Sequence, residues 1–192
     1  MGTSDSLSSL LGAFTDGKVI RQLSKKSDVD PNQVNSLIQL GIPTLVQALQ
    51  KNASTPTGLS SLQKALNQHA SDPIDDVSSF LSNVDLDDGS KIIGHILGSK
   101  TSNVQSKLGS QTGIPTDQVG TLLNSLAPLL MGTLAKQNNV SSSPDLSGLL
   151  GGLLGGSGND MAKMAMGLLD TDHDGDVMDD VGQLLSGFLK KK

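Results

Sequence analysis

The chain has 192 residues, 35% of them hydrophobic, with three phenylalanines and no tryptophan, tyrosine or cysteine. That length suffices for one well-buried domain or two small ones, and the lack of cysteine excludes disulfide stapling, a thiolate nucleophile and a cysteine-type zinc site. Every acidic residue is Asp, Arg21 is the single arginine, and the net charge of −5 is local: without the six aspartates between residues 170 and 180, fourteen basic residues face thirteen acidic ones.

A core so poor in aromatics must be built from Leu, Ile, Val, Ala and Met, which favours packed helices over a sheet and predicts an all-α fold. Leu7, Leu10, Leu11 and Phe14 recur at helical spacing, giving a first amphipathic helix over residues 4–14 that Asp16-Gly17 ends. Val19, Ile20 and Leu23 begin a second. Asp30-Pro31 opens a third, with Asp30 as N-cap and Pro31 at the first helical position, where its missing N–H costs nothing. Gly41-Ile42-Pro43 interrupts the pattern before Leu45, Val46 and Leu49 resume it, which reads as a helix, a kink and a second helix. Residues 54–58 read as a loop and 59–69 as a helix. Asp72-Pro73 starts another through Val77, Phe80 and Leu81. Asp85-Leu86-Asp87-Asp88 precedes a helix carrying Ile92, Ile93, Ile96 and Leu97, on which His95 is expected to be partly buried and hydrogen-bonded.

The pattern then returns with an offset of 85 residues. Val19 matches Val104, Leu23 matches Leu108, Val29 matches Ile114, Val34 matches Val119, and Leu37-Ile38 matches Leu122-Leu123. Pro43 matches Pro128, and Leu49 matches Leu134. A match that includes the prolines is more than shared helical periodicity, so residues 19–51 and 104–136 read as two pseudo-symmetric units of a duplicated helical domain spanning 1–137.

Residues 138–159 shift to Ser, Gly and Pro around a run of paired leucines and glycines; they read as a flexible linker, or alternatively as a small-residue helix face. Residues 160–192 read as a helix, an acidic loop and a helix. Against the EF-hand template, Asp170, Asp172 and Asp174 take positions 1, 3 and 5, and Gly175 takes position 6, where the chain turns sharply. Asp176 offers a backbone carbonyl at position 7. Position 12 holds Val181 where Glu is usual, so the closing carboxylate is expected from Asp179 or Asp180. The ion these ligands suit is Ca²⁺, which accepts six to eight oxygens in adaptable geometry. The competing reading is a solvated acidic loop whose Asp179 and Asp180 cap the last helix; it leaves the evenly spaced three and their glycine without a reason.

No other constellation carries chemistry. The three histidines sit in no metal-pair or triad spacing, the glycine run lacks a Gly-Lys-Ser/Thr ending, and a single Arg is too few for base reading. The expectation is a protein that is not an enzyme, contacts no nucleic acid and no membrane, and is cytoplasmic. A protein partner, if there is one, would be held by aliphatic contacts, with Met161, Met164 and Met166 as candidates.

The proline-bearing units, the segment Asp88-Gly89-Ser90-Lys91-Ile92-Ile93-Gly94-His95-Ile96-Leu97-Gly98, and the stretch from Leu168-Leu169-Asp170 to Asp179-Asp180 resemble the bacterial family called domain of unknown function 937. The resemblance covers about residues 19 to 136 and 165 to 189. It implies a bacterial, cytoplasmic, all-α protein and brings no catalytic residue with it. Two functions remain in view: a calcium-binding helical protein, and a metal-independent helical scaffold that binds an apolar partner segment.

Overall fold

A computed structural model describes residues 5–140 and Leu150, with side chains placed for residues 10–137 and Leu150. Among the described residues the chain is helical and contains no strand. The helices are α1 (Asp5–Phe14), α2 (Gly17–Ser27), α3 (Pro31–Ala53), α4 (Pro56–His69), α5 (Val77–Ser82), α6 (Leu86–Leu97), α7 (Thr101–Thr112) and α8 (Thr116–Val140), with a 3-10 turn, Gly98–Lys100, between α6 and α7.

Aspartate punctuates these helices because its short carboxylate reaches the N–H groups that a first turn leaves unpaired. Asp16 accepts from the Lys18 N–H and Asp30 from the Asn32 N–H, both at 2.8 Å. Asp85 accepts from the N–H groups of Asp87 and Asp88. Two starts differ from those the sequence suggested. Helix α4 begins at Pro56, inside the expected loop, because the Thr55 hydroxyl accepts from the Gly58 N–H and Pro56 fills the first position. Helix α5 begins at Val77, because Asp76 caps it through the Ser79 N–H while Asp72 is engaged by His69.

The two helices expected on either side of Pro43 are one: α3 runs on through its proline, as α8 does through Pro128. A proline costs the hydrogen bond to the carbonyl four residues back, but burial on both sides can hold the helix together. Ile42, Leu45, Val46, Leu126, Ala127 and Leu130 are all at most 1% exposed around the two prolines.

The long α3 and α8 form the centre of the core. Helix α6 lies mainly along α8, α4 packs on both α3 and α8, α7 also packs on both, and α1 and α2 cover α3. Leu150 is buried in the same apolar cluster. On the far side, α2 is tied to the end of α5 by the Lys26 ammonium, which donates to the Leu81 carbonyl at 3.1 Å and the Val84 carbonyl at 3.5 Å. Burial there pushes the Lys26 pKa down.

Candidate functional site

The six aspartates expected to hold calcium, Asp170, Asp172, Asp174, Asp176, Asp179 and Asp180, lie outside the described residues, as do Met161, Met164 and Met166. Among the described residues, no group of three or more His, Asp or Glu side chains is placed to hold a metal ion. What those residues do form is a trough between α4 and α6.

Both helices rest on α8 but scarcely touch each other, and they run in opposite directions. The trough therefore has the first half of α4 facing the last half of α6 at one end, and the end of α4 facing the start of α6 at the other. The first end is a cavity of about 460 Å³ walled by Leu49, Leu62, Ala65, Ile92 and Ile96, with Met131 of α8 beneath and Lys64 and His95 at its edge. The second is a cavity of about 410 Å³ lined by His69, Asp72, Asp76, Asp85, Asp88 and Pro128. Gln68 lines both, so the two adjoin.

Each end is fastened by one side chain. At the apolar end the Asn52 amide donates to the carbonyls of His95 (3.2 Å) and Ile96 (3.0 Å), pairing acceptors that the last turn of α6 cannot use itself. The Asn52 carbonyl in turn receives the Thr55 hydroxyl at 3.1 Å and lies so close to Gly58 that a Cβ there would sit 2.0 Å from it. Only glycine lets α4 start at that corner. At the acidic end His69 stands between two carboxylates, with Nδ1 2.8 Å from Asp72 Oδ2 and Nε2 3.6 Å from Asp88 Oδ2. The Nδ1 contact is a hydrogen bond, whereas Nε2 lies beyond hydrogen-bond distance and links α4 to α6 only as an ion pair of the protonated ring.

His95, expected to be partly buried, is exposed at the trough edge, because Ile92, Ile93 and Ile96 take the inward face of α6. His69 carried no signal in the sequence: its partner Asp72 read as a helix cap, and Asp88 arrives through tertiary packing. The spacing of His69 and Asp72, three residues apart at a helix end, was the available hint.

The description "Bacterial protein of unknown function (DUF937)" matches residues 9–137. The chain belongs to this family. No curated protein and no solved structure matches the chain. The DUF937 region takes in all of α2 to α7 and most of α8, so the trough lies wholly within it, and residues 170–180 lie beyond it. Among the described residues of this DUF937 protein, no helix is long and apolar enough to cross a membrane.

Proposed function

We propose that this DUF937 protein is a non-enzymatic calcium-binding helical protein of the cytoplasm, with the ion held by residues 170–180. The observation that carries this reading is the spacing of Asp170, Asp172, Asp174 and Gly175. In the EF-hand template, three carboxylates on alternate residues followed by a glycine at the turn converge on one point, where a cation relieves their mutual repulsion. Asp176 adds a backbone carbonyl, and Asp179 or Asp180 closes the site. The test is thermal: millimolar calcium raises the melting temperature of the wild type and leaves Asp172→Ala unchanged. Identical curves for both proteins with and without calcium defeat the reading.

A second reading is a helical scaffold for an apolar segment, and the trough favours it. Its walls are aliphatic, and its two ends differ in charge. The helices α2–α3 and α7–α8 have the same order, each with a left-handed residue between its helices, Asp28 at φ 54° and Gly113 at φ 72°, and each with a proline inside the longer helix. On this reading they descend from one duplicated unit, and α4, α5 and α6 lie between the copies, with α4 and α6 forming the trough walls. Titrating a leucine-rich amphipathic peptide with a basic end should shift the methyl resonances of Leu62, Ile92 and Ile96. No shift up to millimolar peptide in a protein whose trough is free defeats the scaffold reading.

A further inference from the structure

The trough has a polarity that limits what can lie in it. Along α4, a 14-residue helix of about 20 Å, the lining passes from Thr57 and Leu62 through Ala65 to His69 and, just past the helix, Asp72, and Asp76, Asp85 and Asp88 gather at that last end. An occupant of matching chemistry is an amphipathic helix, aliphatic on one face and basic at its finish. Outside the described residues this chain carries a sequence with that pattern. Asp179 and Asp180 precede Leu184, Leu185, Phe188 and Leu189 at helical spacing, and Lys190, Lys191 and Lys192 follow.

We propose that residues 179–192 of this chain lie along the trough, with their leucines against its aliphatic walls and their lysines beside the carboxylates around His69. The proposal rests on the scaffold reading and does not require calcium. The lengths agree: a helix from residue 180 to residue 190 covers about 15 Å, within the span of α4. Reach is no obstacle, since Leu150 is anchored in the core and the residues from there to 179 extend up to about 95 Å. Tethering also makes weak contacts sufficient. A covalently linked segment has an effective concentration near millimolar, so an aliphatic contact too weak to hold a free partner still fills the trough.

The lack of native cysteine makes the test direct. In the full chain, Gln63→Cys and Gln183→Cys carry spin labels; Gln63 is exposed on α4 away from the trough lining, and Gln183 is opposite the apolar face by its spacing. The expected result, with calcium present or chelated, is one narrow distance of about two helix diameters, ~20 Å. That narrow peak is lost on adding either Phe188→Asp or Ala65→Arg. Three results overturn the proposal: a broad distribution in the parent protein, a narrow distance found only between singly labelled copies, or a narrow distance that Ala65→Arg leaves unchanged. The scaffold reading fails separately, if an added amphipathic peptide leaves the trough methyls unshifted in the Phe188→Asp protein, where the segment has been released.

Discussion

Helices α3 and α8 face the same difficulty and meet it differently. Pro43 leaves the Gln39 carbonyl without its helical partner, and Pro128 does the same to Asn124. Gln39 is exposed, so water can serve its carbonyl. Asn124 instead meets α6: a Cβ on Gly89 would lie 1.8 Å from the Asn124 oxygen, so the glycine's own Cα–H points at the acceptor that the proline has freed. The buried hydroxyls are placed differently too. In α3 Thr44, just after the proline, donates to the Leu40 carbonyl at 2.7 Å; in α8 Ser125, three residues before its proline, donates to the Thr121 carbonyl at 2.9 Å. A proline inside a buried helix is thus tolerated where its lost bond can be replaced, and in α8 the replacement also seats the helix that walls the trough.

The largest expected effect follows from that contact. Gly89→Ala forces α6 off α8 and should destabilise the protein by about 3 kcal/mol or more, because the obstacle is backbone and cannot rotate away. Gly94→Ala on the same helix meets nothing within 4 Å and should stabilise by about 0.5–1 kcal/mol, the ordinary gain of alanine over glycine in a helix. Chemical denaturation of the pair measures the difference; similar effects would mean that the approach of Gly89 to Asn124 does not seat α6. Next in size is Thr44→Val, expected to cost about 1 kcal/mol by removing the buried hydroxyl from α3, with an equal loss for Ser125→Ala in α8. A cost in one helix only would show that the two prolines are not equally supported.

Lys26 should give the smallest effect. Its folded pKa lies below the ordinary value of 10.5, so the unfolded chain binds more protons between the two values and stability rises with pH across that interval. Lys26→Met should flatten this rise in denaturation curves taken from pH 8 to 11. A rise that persists in the variant assigns it to another group.

Much of the fold was legible because aspartates and prolines mark helix starts by local chemistry. Asp30 caps where its sequence position suggests, and the apolar spacing of Val34, Leu37 and Ile38 marks a face that is fully buried. Pro43 misled in part, since the pattern around it reads as two helices, whereas packing that only the tertiary structure supplies keeps α3 as one. The trough was not legible for a related reason. Its polarity depends on α4 and α6 lying antiparallel on α8, and nothing local to His69, Asp72 or Asp88 announces that they will meet. The proposed calcium site is the reverse case, because it rests on the spacing of three aspartates and a glycine in the sequence alone.

Calorimetric titration of metal-stripped full-length protein with calcium tests the calcium reading most directly. One site per chain is expected, with a dissociation constant on the order of 10⁻⁵ to 10⁻³ M, because the closing carboxylate is shorter than Glu and arrives from an unusual position. Magnesium should compete poorly, and Asp172→Ala should abolish the heat. A flat titration of the wild type, or equal heats from the wild type and Asp172→Ala, would contradict calcium binding by residues 170–180.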